Sequence, residues 1–443
     1  MLLLLALGCP SPTDDTTPVA QPTWHGGVAP LVIQRCAGCH TSGAIGPFPL
    51  DSYAAAAPMA AAMVAAVDSG SMPPWAAEST DECQPRFGWK DDLSLNEEEK
   101  ELLRQWAEAG APEGDAADAV TVPEALSLTL DGANQRIAPR VGFAASGTRD
   151  QFMCFVMDPE ITSRRWLTGV QIVAGNEAVV HHALVFADES GQAQALANED
   201  GYYECAANQG LGGSLVAAWA PGAVPNETPE GSGMAVAAGS KIVMQIHYHP
   251  TGETADVDVT SLDLRWVDAA PEHQAVLALI GNANSEGGGL LPGPNDDAGV
   301  EFRIPAGASD HSEEMAFPID AGRRTYQVYA AGTHMHYVGT DMRIWVDHKE
   351  PTAQEPASEC LVQTPEWDFD WQRAYTYDAP LADVPQVRDG DTLRMLCRYD
   401  NTLDNPGVAR ALEDAGLSEP QDVFLGETTL DEMCLAVLGI VYE

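Results

Sequence analysis

The chain has 443 residues, 45% of them hydrophobic, which is enough for two or three packed cores and too much for one ordinary domain. Its 66 Asp and Glu against 22 Lys and Arg leave a net charge of −44. Such a surface repels phosphate backbones, so nucleic acid is excluded as a partner.

The first 22 residues join a short apolar run, MLLLLAL, to Gly8-Cys9 and a Pro/Thr/Asp stretch. This start resembles a bacterial lipoprotein signal, with Cys9 carrying the lipid and the following residues acting as a disordered tether. An ordinary cysteine in a frayed terminus is the alternative. The resemblance implies an exported protein, periplasmic or at the outer membrane or cell surface, held to the membrane only by a lipid anchor. No later apolar run is long enough to span a bilayer.

Residues 36–40 read CAGCH, the C-x-x-C-H haem-attachment pattern. Two thiols one helical turn apart can bond the two vinyl groups, and His40 can ligate the iron. A zinc site would need two more ligands, and only Cys83 is local. The alanine-rich run after Asp51 reads as helix up to Gly70 and Pro73-Pro74. A second helix starts at a capping box from Ser94 to Glu97 and stops at Gly110. These features define a small all-α cytochrome c domain over 23–117, similar to modules with a Met-Pro-Pro-Trp distal loop. Cys36 and Cys39 would attach one haem c covalently, with His40 and Met72 as its axial ligands. Met59 and Met63 are rivals to Met72, but at helical spacing they read as core.

After an acidic linker the pattern changes. Short runs rich in Val, Ile and aromatics, such as GVQIVAG, KIVMQIHYH and TYQVYAAGTHMHYVG, alternate with Gly/Pro/Asp/Asn turns. This predicts a mainly β region of sandwich or barrel type, long enough for two units, 126–268 and 269–443.

Six of the 11 histidines fall in three pairs there: His181-His182, His247/His249 and His334/His336. On a strand, i and i+2 share a face, so H-x-H can chelate. Adjacent residues point to opposite faces, so His181 and His182 reach one metal only at a bulge or strand end. Any one pair could be solvent-facing or hydrogen-bonded; three pairs point to metal. Imidazole sites suit zinc, copper, iron and nickel, and a thioether ligand would favour copper. Met433 in DEMC is the candidate, against a default reading as core. Setting aside Cys9, Cys36 and Cys39, six cysteines remain. That even number fits disulfides, but the count leaves their connectivity open.

The order HH, QIHYH, GTHMH, then LCRYD and GETTLDEMC resembles the copper type II, ascorbate-dependent monooxygenases, over about residues 130–443. The resemblance implies two jelly-roll β-sandwich domains and two copper ions. His181, His182 and His247 would ligate the electron-transfer copper. His334, His336 and Met433 would ligate the oxygen-activating one and carry catalysis. His249 would not be a ligand, and Gln245 would order the path between sites. Disulfides Cys154–Cys205 and Cys397–Cys434 are implied, with Cys83 and Cys360 left unassigned. The expected activity is hydroxylation of a C–H bond of a small molecule by O2, with ascorbate or a redox protein as electron donor and the fused haem as relay. The alternative is a non-enzymatic copper-binding and electron-transfer lipoprotein. A zinc β-sandwich hydrolase is disfavoured, because it leaves Met433 without a role.

The sequence also departs from the peptide-amidating members. Their arginine two residues before H-x-H is Gly332 here, and their asparagine and tyrosine after Met-Cys are Leu435 and Val437. The grip on a peptide carboxylate is missing, so a less polar substrate is expected.

Overall fold

The computed structural model describes residues 21–443 except 43, 148, 206–211, 251, 253–256, 282–288, 297, 298, 427 and 429. Cys9 and its expected lipidation lie outside the described residues. The chain forms two compact units: Met1–Pro73 with Ser94–Ala125, and Pro74–Leu93 with Leu126–Glu443. Among the described residues no helix is long and apolar enough to cross a membrane.

The first unit has helices α1 (Ala29–Arg35), α2 (Tyr53–Ala56), α3 (Ala60–Asp68) and α4 (Glu97–Glu108), and no strand among the described residues. Pro58 sits in a 3-10 turn between α2 and α3, where its missing N–H is tolerated. The capping box differs from the expected Ser94–Glu97 pair. Asn96 caps α4, accepting from Glu99 N at 2.9 Å, while Asn96 N donates to the Glu99 carboxylate at 2.9 Å. Starting the helix there turns Leu103 and Trp106 inward, with Trp106 5.9 Å from Trp24, and places three glutamates at the positive end of the helix dipole.

The second unit is built of strands. The first half supplies β1 (Gln135–Ile137), β2 (Gln151–Met157), β3 (Arg165–Val173), β4 (Val180–Asp188), β5 (Tyr202–Glu204), β6 (Ser214–Trp219), β7 (Asn226–Glu227), β8 (Ser232–Val236), β9 (Lys241–Tyr248) and β10 (Ser261–Val267). The second half supplies β11 (His273–Gly281), β12 (Arg303–Ile304), β13 (His311–Pro318), β14 (Tyr326–His334), β15 (Gly339–Asp347) and β16 (Ser358–Thr364). It ends with β17 (Ala374–Thr376), β18 (Gln386–Val387), β19 (Thr392–Tyr399), β20 (Val423–Phe424) and β21 (Leu435–Tyr442). Two short helices, α5 (Gln192–Leu196) and α6 (Pro406–Ala415), complete it.

A five-stranded sheet β5-β2-β9-β4-β6 belongs to the first half, and a four-stranded sheet β13-β19-β15-β16 to the second. Both halves share one long sheet, β1-β10-β3-β8-β11-β21-β14-β17, with β7 and β18 alongside. The halves therefore meet through a parallel β8–β11 pairing rather than standing as two closed sandwiches. One core fills the first half and a second fills the other; Ala330 and Val441 of the second half pack into the first core. On β9 the period of two sends Ile242, Met244, Ile246 and Tyr248 into the core, leaving Gln245 and His247 on the opposite face.

Residues 74–93, which the sequence places within 23–117, pack on the β-rich unit. Trp75 and Trp89 lie 4.9 and 5.4 Å from Tyr375, and Trp89 stacks on Tyr377 at 4.9 Å. Cys83, unassigned in the sequence, bonds Cys360; the other disulfides join Cys154 to Cys205 and Cys397 to Cys434. Arg86 pairs with the buried carboxylate of Glu359.

Glu359 also meets buried His348, whose Nε2 is 3.0 Å from Glu359 Oε2 and whose Nδ1 is 3.1 Å from Asp391 Oδ2. Glu355, with Arg388 on its carboxylate, completes the charged surroundings. The hydrogen bond to Glu359 and that to Asp391 outweigh burial and raise the imidazole above its ordinary value. A histidine raised on folding contributes stability that is full below about pH 6.5 and lost as pH rises through the folded value. Urea midpoints measured from about pH 6 to about pH 9 should therefore fall. His348→Gln should flatten that fall, and an unchanged slope in the variant would remove this group from the account.

Candidate metal centres

Two sets of side chains with metal-ligand chemistry face one another in the β-rich unit. The first is formed by β4 and β9. His182 pairs directly with His247 across the sheet, and the register slips between Val180 and His182. His181 is thus the extra residue of a bulge, which brings two adjacent imidazoles to one point. His181 Nδ1 lies 3.1 Å from His182 Nδ1, and His247 Nδ1 lies 3.4 Å from it. Ligand atoms of the three rings all fall within 4.8 Å of one another, as a metal site requires.

The outward nitrogens face carboxylates: His181 Nε2 is 3.5 Å from Asp370 and His247 Nε2 is 3.4 Å from Asp150. Among the described residues neither buried Nε2 has a partner at hydrogen-bond geometry. Asp150 also accepts from His249 Nδ1 at 2.8 Å, so His249 supports the site from outside. His181 stacks on Phe369 at 4.5 Å, and His247 on Phe152 at 4.3 Å. Burial lowers His182 and His247 below their ordinary range, which favours the neutral, ligating form.

The second set comes from the end of β14 and the approach to β21. His334 closes β14 and pairs with Leu435, so His336 and Met433 continue past the paired register. The two rings are 5.3 Å apart. His334 Nδ1 donates to Gln372 Oε1 at 2.7 Å, and His336 Nδ1 to the Asp431 carbonyl at 3.0 Å. Both Nε2 atoms are left as acceptors, an arrangement typical of metal-bound histidines. Burial pushes His334 down to about 4 and His336 down to about 3. Met433 is buried, Cys434 beside it is tied to Cys397, and Tyr399 O–H donates to the Met433 carbonyl at 3.2 Å. Glu432, fully buried, accepts from His336 N at 2.5 Å and Met433 N at 2.7 Å. Burial pushes its carboxyl up to about 8.

The rings of His182 and His334 are 6.4 Å apart, and His182 and His247 of the first set line one cavity of about 330 Å³ together with His334, His336 and Met433. Gln245 lines the same cavity on the face of β9 that carries His247. Three imidazoles on one side, and two imidazoles with a thioether on the other, fit a borderline and a softer copper site respectively. Asp150, Asp370, Gln372 and Glu432 escape sequence reading. Each sits far along the chain from the ring or backbone it supports, or beside a ligand with nothing to mark it.

In the helical unit, CAGCH continues α1. Cys36 N donates to Val32 O and His40 N to Cys36 O, both at 2.9 Å, which sets Cys36 and Cys39 a turn apart. His40 Nδ1 donates to the Phe48 carbonyl at 3.0 Å, leaving Nε2 as an acceptor. Gly46 lies against this ring; a Cβ there would come within 2.7 Å of Nδ1. Burial pushes the Cys36 thiol up to about 12. Met72 follows the turn after α3, its N donating to Ala66 O at 3.2 Å, whereas Met63 is buried in the helical core and Met59 packs against it. The thiol pair and the oriented imidazole fit a covalently attached haem.

Residues 141–255 match the family model described as copper type II ascorbate-dependent monooxygenase, N-terminal domain. That span contains His181, His182 and His247; the second set lies beyond it. No curated protein matches the chain. Among solved structures, the chain is similar to the major capsid protein P2 of bacteriophage PM2 at 9% identity, covering 69% of this chain and 97% of that one, with a TM-score of 0.25. It is also similar to infectious bursal disease virus VP2 at 9% identity, covering 71% of this chain and 82% of that one, with a TM-score of 0.14. A variant of Bacillus subtilis oxalate decarboxylase OxdC matches at 10% identity, covering 70% of this chain and 77% of that one, with a TM-score of 0.10. At such scores these structures carry no argument about fold or function.

Proposed function

We propose that the β-rich unit is a dicopper monooxygenase that hydroxylates a C–H bond of a small organic molecule with O2. The observation that carries this reading is the pair of unlike donor sets, His₃ and His₂Met, with His182, His247, His334, His336 and Met433 lining one cavity and the first set inside a matched copper monooxygenase segment. His181, His182 and His247 would hold one ion through Nδ1, and His334, His336 and Met433 the other through Nε2 and sulfur. Copper, when bound, supplies one-electron chemistry and activation of O2. The chain's own residues keep His182, His247, His334 and His336 neutral by burial, fix the tautomers of His334 and His336 through Gln372 and the Asp431 carbonyl, and wall the site with apolar side chains. The overall conversion is R–H + O2 + 2 e⁻ + 2 H⁺ → R–OH + H2O.

Ascorbate or another redox protein would supply the electrons. A haem c held by Cys36 and Cys39, with His40 and Met72 as axial ligands, would relay them. Three disulfides fit an oxidising compartment, in line with an exported protein anchored through Cys9. A protein that only bound or carried copper would have no need of two different donor sets or of an apolar cavity beside them.

Metal analysis of the exported protein should find about two copper ions and one covalent haem per chain, given the softness of the donors. Oxygen uptake should accompany appearance of a hydroxylated product and stop when a chelator strips the copper. Zinc in both sites, or reduced copper-loaded protein that leaves O2 untouched with every candidate substrate, would sink the reading.

A further inference from the structure

The cavity extends well beyond the ligands. On β4 the pleat puts His182, Leu184 and Phe186 on one face, and four residues of strand carry that wall about 13 Å from the histidine. Leu277 and Leu279 of β11, and Leu435 and Val437 of β21, line the cavity from the long sheet in the same alternating way. The cavity therefore joins imidazoles and sulfur to a wall of hydrocarbon side chains from β4, β11 and β21.

Gly332 explains why no side chain from that position enters the cavity. A Cβ there would come within 2.8 Å of the Arg373 carbonyl and 2.9 Å of Ala374 Cα. The glycine lets β17 close against β14, where Gly332 pairs with Ala374.

Among the described residues, Arg373 and Glu227 bring the only full charges to the lining, and each is engaged by the protein itself. Arg373 Nη2 donates to the Gly222 carbonyl at 2.5 Å, and its guanidinium lies over the Trp75 ring at 5.3 Å. Glu227 is 2.8 Å from Arg265. Three neutral polar groups of the lining are likewise bonded within the protein: Asn226 to both backbone groups of Ala218, Thr228 to the Ser232 carbonyl and Thr333 to Thr364. Glu227 is matched by Arg265, and the Arg373 guanidinium is held by a carbonyl and a ring, so an ionised ligand would have to displace those contacts or lose its hydration without a counter-charge.

We propose, resting on the copper monooxygenase reading, that the cavity takes an uncharged, predominantly hydrocarbon substrate. Its apolar body would lie along Leu184, Phe186 and Leu277, with the C–H to be hydroxylated at the end lined by His334, His336 and Met433. The class is set by the wall: Leu184, Phe186 and Leu277 offer neither charge nor hydrogen-bond donor along the body, so discrimination there rests on shape and on the cost of burying charge.

A matched pair of fluorescent dyes tests this on the full chain: neutral N-phenylnaphthylamine and its sulfonated counterpart, anilinonaphthalene sulfonate. The neutral dye should bind, and the sulfonate should bind at least about tenfold more weakly. Filling the cavity with Val437→Phe should weaken the neutral dye by at least about tenfold while copper content stays unchanged. Equal binding of the two dyes would overturn the proposal, as would copper-replete protein that binds neither. Because copper is measured separately, the outcome distinguishes failure of this proposal from failure of the copper reading, which would appear as missing copper.

Discussion

Replacing Met433 by leucine is expected to remove hydroxylation while leaving the fold intact. Leucine keeps the volume of this buried side chain, and such swaps usually cost less than about 1.5 kcal/mol, so loss of activity would report loss of sulfur rather than of packing. The neutral pair His334 and His336 would remain, but two imidazoles without the thioether make a harder and less complete site for Cu(I). The loss should exceed the roughly 10–100-fold typical of removing an outer partner of a metal ligand. Copper analysis and EPR should then show one ion weakened and the ion at His181, His182 and His247 retained. His182→Ala should give the converse pattern. Equal damage to both sites by Met433→Leu would undo the division into two ligand sets.

The closeness of the imidazoles within each cluster was legible in the sequence, because it rests on local geometry, whereas the division into two ligand sets was implied only by the family resemblance. The i, i+2 spacing of His334 and His336 puts them at one strand end. The adjacent His181 and His182 could share a metal only if the strand broke register, and the slip at Val180/His182 is that break. What surrounds the ligands was not legible. Asp150 precedes β2 and supports His247, 97 positions later; Asp370 reaches back to His181. Such partners are set by how strands stack, and an isolated aspartate in a turn carries no mark of it. The shared long sheet was missed for a related reason. A parallel pairing of β8 with β11 leaves no turn signal between its strands, whereas hairpins announce themselves by their loops. Residues 74–93 went unread because aromatic residues beside a haem motif look like part of it. Their burial against Tyr375 and Tyr377 depends on strands nearly 300 positions away. The capping box erred by only two residues, since Ser94 and Asn96 each have a glutamate three places on and the choice falls to packing of Leu103 and Trp106.

Glu432 is where local and long-range structure meet, and it sets the second large effect. His336 lies just after the end of β14 and Met433 just before the start of β21, with Glu432 96 positions after His336. A single buried carboxylate oxygen accepts from the backbone N–H of both ligand residues, so one atom fixes how far apart their side chains start. Glu432→Ala would leave two buried N–H groups without that acceptor, at a cost of about 1–3 kcal/mol each. It would also free the two segments to drift. Copper affinity at the His334/His336/Met433 site should fall by at least about 10–100-fold, with the three-histidine site unchanged. Glu432→Gln keeps an oxygen that can accept both bonds and should retain most of the copper. A structural role with no bearing on the metal predicts equal melting losses and full copper in both variants. Rescue by glutamine in copper titrations, with alanine defective at one site only, is the result that assigns Glu432 to holding the two ligands together.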